Sequence, residues 1–147
     1  MSTREWADAL RRSGRGDKID SLPYAVLLGV VADHDGSDFK LIMPYREALL
    51  GSPGRLHGGA IAGLLELAAL ATLLLALPED EKLPEIKPVT VTVDFLREGG
   101  MRDTFAAATI TRLGRRVANL RSVAWQYDYS RPIAAANLNI VLARASG

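Results

Sequence analysis

An α+β fold, in which a long antiparallel β-sheet curls around one central α-helix, is predicted by three features of the sequence. Residues 58–77 form a run that is apolar on nearly every side, as expected of a helix enclosed by its own protein. The stretch behind it alternates apolar and polar residues over several strand lengths. Strand and helix do not alternate along the chain, as a parallel sheet would require. A sheet wrapped around residues 60–77 is the arrangement that covers every side of such a helix.

The elements follow in order. Residues 3–13 (TREWADALRRS) read as a short amphipathic helix, with Thr3 as N-cap and Trp6, Ala9 and Leu10 sharing one side. It belongs to a helical extension over residues 1–20 of a single domain spanning residues 1–147. Residues 24–32, rich in Val and Leu, and residues 39–45 (FKLIMPY) read as the strands of a β-hairpin, with DHDGSD as its turn. REALLGSPGR is a connection punctuated by Gly and Pro, after which the central helix begins near His57 and stops before Pro78. PEDEKLPE is a solvated loop. In VTVTVDFLRE, Val89, Val91, Val93 and Phe95 share one face of a strand, and Thr90, Thr92 and Asp94 the other. Strands over residues 104–112, 117–129 and 132–143 complete the sheet, their alternation blurred by alanines.

Composition narrows the function. Eighteen Lys and Arg against seventeen Asp and Glu leave the chain almost neutral, which argues against a nucleic-acid binder. The absence of cysteine removes disulfides, thiolate metal sites and a cysteine nucleophile. The N-terminus is charged throughout and does not read as a secretory signal, so the cytoplasm is expected. Residues 58–77 are long enough to cross a bilayer, but Glu66 near the middle and the acidic flank PEDEK speak against a membrane span.

His34 and His57 lie far apart and in no metal-binding spacing, so no metal site is expected. DHDGSD reads as turn chemistry before it reads as a cation loop. GxSxG, GxGxxG and Walker-type motifs are absent, and no cofactor is called for. What remains is HGG, at residues 57–59, and Glu66. Amides at a helix N-terminus are unpaired and lie at the positive end of the dipole, and glycine there lets a substrate oxygen approach. A carboxylate facing such a hole, as general base or nucleophile, describes acyl transfer to water. Gly58 and Glu66 are separated by roughly 12 Å along one helix at 1.5 Å per residue, so one carbonyl cannot touch both. A second copy, its helix antiparallel, would bring Glu66 of one chain to Gly58 of the other, which predicts a dimer with two composite sites.

HGGAIAGLLELA and TVDFLREGGMRDTFAAATITRLGRRVANLRSVAW resemble the hotdog-fold thioesterases, in particular the phenylacetate-degradation (PaaI-like) branch, over about two thirds of the chain. The resemblance implies a homodimer or dimer of dimers that hydrolyses acyl-coenzyme A thioesters. On matching positions it implies Glu66 as base or nucleophile, the Gly58 amide, with Gly59 beside it, as oxyanion donor, and His57 as the residue steadying the turn. The acid is Glu where this branch usually has Asp. Gly51 stands where many members carry Asn or Gln, and Ser52 is the nearby polar substitute. That departure keeps a second reading open, an acyl-CoA-binding protein without turnover. Coenzyme A phosphates call for local cations, for which Arg115 and Arg116 are the candidates; a merely solvated turn is the other reading of that pair. Glu66 and Asp94 could also form structural ion pairs with Arg97.

Overall fold

The computed structural model describes residues 3–19, 22–79 and 81–144. In chain order they form α1 (Thr3–Arg12), β1 (Arg15–Lys18), α2 (Pro23–Leu28), β2 (Val31–Asp35) and β3 (Asp38–Met43). A 3-10 turn (Glu47–Leu49) and a small hairpin of β4 (Leu50–Ser52) and β5 (Arg55–Leu56) follow, then α3 (Gly58–Ala76). β6 (Glu85–Phe95), β7 (Thr104–Leu113), β8 (Val117–Trp125) and β9 (Ala134–Ala143) complete the chain. The seven-stranded sheet runs β1-β2-β3-β7-β8-β9-β6, antiparallel at every described pairing, and α3 lies across β7, β8 and β9.

The alanines that blur the strand pattern have a packing purpose. Ala106, Ala118, Ala124, Ala134 and Ala136 are fully buried on the sheet, and Leu64, Leu65, Leu73 and Leu74 of α3 are equally buried. Small residues on the sheet let a leucine-rich helix settle close to it, so that large side chains fill the space small ones leave. α1 packs Trp6, Ala7 and Leu10 into the same core; Ala9 is only half-buried. Residues 15–18, expected within a helical extension, instead add β1 to the sheet.

Two expectations are corrected. Residues 24–28 are helical rather than extended: Pro23 sits in the first turn, where its missing N–H costs nothing, and Gly29 ends the helix at φ 71° with its N–H bonded back to Ala25 and Val26. Arg46 donates to the Leu27 carbonyl at 2.6 Å and holds that end down. The hairpin therefore begins at Val31 and turns on Gly36 and Ser37 alone, Asp35 pairing with Asp38. The second correction concerns α3. Gly59, Ala62, Glu66 and Leu70, spaced three, four and four residues apart, form a stripe that the chain itself leaves partly or wholly open.

β6 closes one end of the sheet and pairs only with β9. Its register slips between Pro88 and Thr90, a β-bulge, and Val89, Val91 and Phe95 remain 60, 39 and 57 % exposed. Val91, Val93 and Phe95 lie opposite buried Leu138, Ala136 and Ala134, which puts them on the helix side of the sheet as the alternation predicts. Among the described residues the one helix long and apolar enough to span a membrane is α3, and most of it is buried inside this fold.

Candidate functional site

The site is built on the entry to α3. His57 caps the helix, its backbone N–H bonded to Leu49 O at 2.8 Å and its Nδ1 accepting the Gly59 N–H at 2.8 Å. Because Nδ1 accepts, the ring proton of a neutral His57 resides on Nε2. Each glycine of HGG answers a specific contact. A Cβ on Gly59 would lie 2.9 Å from His57 Nδ1 and break the cap, and one on Gly58 would lie 3.3 Å from the Phe95 ring. Upstream, a Cβ on Gly51 would come within 2.9 Å of the His57 Cα, so the backbone of β4 passes against the cap with no room for a side chain.

The Gly59 amide is thus used internally, whereas the Gly58 N–H has no hydrogen-bond partner among the described residues. It borders a cleft of about 360 Å³ lined by Leu56, Gly58, Ile61, Phe95, Arg97 and Gly99, among others. The far wall is fastened from behind. Leu56 N–H bonds to Gly99 O at 2.9 Å, and the buried Gln126 both accepts from Gly100 N–H and donates to Gly100 O. Glu66 is half-buried on the open stripe of α3 and makes no hydrogen bond or ion pair with any described residue. Its oxygens are not among the buried polar atoms that lack a partner, so water still reaches the carboxylate, and any surface that covered this stripe would have to replace that water.

The remaining predicted residues are more scattered. Ser52 is exposed in β4, paired with Arg55 across the small hairpin and not among the residues lining the cleft. Arg115 and Arg116 occupy the β7–β8 turn, at the end of the sheet away from Gly58; Phe95, beside Gly58, pairs with Ala134 whereas Arg116 bonds to Leu142. Arg97 pairs with neither Glu66 nor Asp94 and donates to Pro132 O at 2.7 Å. A larger hollow of about 500 Å³ around Asp33, Lys40, Trp125 and Tyr129 lies elsewhere, and its buried acid is already matched by Arg15 and Lys40 at 3.3 and 3.5 Å. Among the described residues no group of three or more His, Asp or Glu is placed to hold a metal ion.

A family model described as the acyl-CoA thioesterase N-terminal domain matches residues 50–142, from the hairpin before the cap through β9. The chain belongs to this acyl-CoA thioesterase family. Its architecture, a sheet around a central helix, is the hotdog fold of those thioesterases. The thioesterase chain is similar over 97 % of its length to a structure from Chromobacterium violaceum, at 31 % identity and a TM-score of 0.75, with 99 % of that chain covered. A phenylacetic acid degradation-related protein from Ralstonia eutropha shares the fold at 18 % identity and a TM-score of 0.75, over 93 % of this chain and 98 % of that one. A Bacillus halodurans protein solved with CoA shares it at 14 % identity and a TM-score of 0.76, over 98 and 90 % of the two chains. No curated protein matches the sequence significantly.

Sequence reasoning missed several groups around the cleft. The guanidinium of Arg102 stacks on the Tyr127 ring at 3.9 Å, and Arg97 and Arg131 line a neighbouring hollow of about 310 Å³ with Gln126 and Tyr127. The loop presenting Arg131 is tight. Asp128 accepts the Ser130 N–H at 3.0 Å, and this backbone bond, with help from the Ser130 side chain, holds the Asp128 carboxyl below its ordinary range. The break between the strands expected over residues 117–129 and 132–143 gave no sign that Arg131 and Pro132 meet Arg97 and Glu98 beyond β6.

Proposed function

We propose that this chain hydrolyses acyl-coenzyme A thioesters, as a homodimer or dimer of dimers in which each site takes its amide from one copy and its acid from the other. The observation that carries the reading is the pairing of two unanswered groups on α3, the free Gly58 N–H at the helix N-terminus and the partnerless Glu66 carboxylate on the open stripe. Their separation of roughly 12 Å is too long for one thioester and suits two antiparallel helices. The exposed apolar edge of β6 supports the same assembly, since an edge strand of this length, paired on one side alone, is a ready template for a second copy.

In this mechanism Glu66 removes a proton from water as the water oxygen attacks the thioester carbonyl. The charge that develops on the carbonyl oxygen is held by the Gly58 N–H and the positive end of α3. The intermediate collapses by breaking the C–S bond, and the thiolate recovers the proton from Glu66, leaving free acid and thiol. Direct attack by the Glu66 carboxylate, followed by hydrolysis of the anhydride, uses the same groups. His57 and Gly59 hold the Gly58 peptide in place. Arg55, paired with Glu98 at 3.0 Å, and Arg97 line the cleft and Arg131 the neighbouring hollow, and these are the cations offered to coenzyme A phosphates. Antiparallel pairing of two β6 strands would bring Arg115 and Arg116 of the second copy toward the same mouth, with Ser52 at its rim.

Turnover of a panel of acyl-CoAs, followed by thiol release, tests the reading. Glu66→Gln is expected to lower kcat by about a hundredfold or more, with acyl-CoA still bound. Gly58→Pro removes the amide while suiting the first helical position, because His57, at φ −65° and ψ 132°, already has the conformation a following proline demands. It should lower kcat by about 10²–10³-fold. The closed space at Gly51 favours one alternative, a protein that binds acyl-CoA without hydrolysing it, and saturable binding with no thiol released by the parent protein would establish that instead.

A further inference from the structure

A second polar group waits beside Glu66. Tyr24, in the first turn of α2, lays its ring across α3 at Gly63: a Cβ there would lie 2.3 Å from the Tyr24 hydroxyl and 2.9 Å from two ring carbons. Position 63 is glycine because the phenol occupies the space a side chain would take. Gly63 precedes Glu66 by three residues, and residues so spaced are neighbours on a helix surface, about 5–6 Å apart at Cβ. The hydroxyl has no hydrogen-bond partner among the described residues, and neither has Glu66. α2 and α3 carry no other charged side chain. Two polar groups one turn apart, without partners in this chain, would be able to bond to each other or share a water if a second copy excluded solvent from this face.

We propose that Tyr24 is a positioning residue for Glu66, its hydroxyl donating to the carboxylate directly or through the attacking water. This rests on the reading of Glu66 as the base. The phenol suits this role because it is rigid, its ring is seated in the glycine notch, and its hydroxyl can donate a hydrogen bond. A donated hydrogen bond favours the ionised carboxylate, keeps it available as base at lower pH, and fixes its direction. Gly51 leaves no side chain on the other approach to the cap, so the hydroxyl supplies polar guidance that the β4 side does not.

The experiment compares the full-length parent, Tyr24→Phe, Gly63→Ala and the double variant on one acyl-CoA, across pH, with thermal melting alongside. Tyr24→Phe keeps the ring and removes only the oxygen. It is expected to lower kcat by about tenfold to a hundredfold with KM nearly unchanged, and to move the acidic limb of kcat/KM to higher pH. Gly63→Ala expels the hydroxyl and should reproduce that loss, with the double variant no worse than Gly63→Ala alone. A Tyr24→Phe protein with parental kcat and an unmoved acidic limb, or one whose loss lies in KM or melting temperature alone, overturns the proposal. If Glu66→Gln turns over like the parent, the underlying reading falls first; if Glu66→Gln is inactive and Tyr24→Phe is parental, only the role of Tyr24 falls.

Discussion

His57 is where the sequence turns into a functional backbone. Its imidazole occupies the second amide of the helix and leaves the first without a partner among the described residues, so one amide of the motif serves the cap and the other stays free for the proposed role. The pairing of HGG with an acid nine residues beyond His57 was legible because both parts obey local rules, capping and the cost of burying charge. Gly51 was not legible in the same way. From sequence it reads as a lost carboxamide; in three dimensions it is the only residue that fits beside the His57 Cα. Restoring the carboxamide with Gly51→Asn is therefore expected to lower stability by about 1–3 kcal/mol in urea denaturation and to reduce rather than raise kcat, since overpacking displaces the cap. An equally stable, faster Gly51→Asn protein would contradict this. The strand face of Phe95 was legible, but its contact with Gly58 was not, because that contact joins residues far apart in the chain.

Among the elements, α3 and the strands from β6 onward were readable because their patterns are long, and long patterns outvote local ambiguity. The stretch at 24–32 shows the opposite case. Val and Leu are at home in either state, and the decisive signals were Pro23 in the first turn and Gly29 after the last. β4 and β5 are too short for any periodicity, and they form because Gly54 turns at φ 77° between Ser52 and Arg55. The open stripe of α3 escaped notice because an apolar helix looks the same whether its own chain or a copy covers it. β6 carries the corresponding prediction. Val91→Lys places a charge on the exposed helix-side edge and is expected to give a folded monomer, by circular dichroism and sedimentation, that no longer releases thiol. A dimer of parental activity would show that β6 does not mediate assembly.

For the whole molecule, the proposed composite site makes a prediction that no single-chain site shares. Glu66→Gln and Gly58→Pro are each expected to be inactive, yet unfolding and refolding them together at equal concentration should restore about a quarter of parental turnover, because half the dimers are mixed and each mixed dimer contains one intact site. No recovery, with mixed dimers verified by mass spectrometry, would place acid and amide in the same chain. The assembly proposed through β6 would have a built-in stop. Pro88 cannot donate a hydrogen bond and the bulge beside it breaks the strand's rhythm, so an incoming strand would pair along Thr90 to Phe95 and meet an interruption beyond. The proline would then work as a ruler: it would deny two copies the freedom to slide, and a slip of one residue would carry every acid to the wrong side of its neighbour's helix.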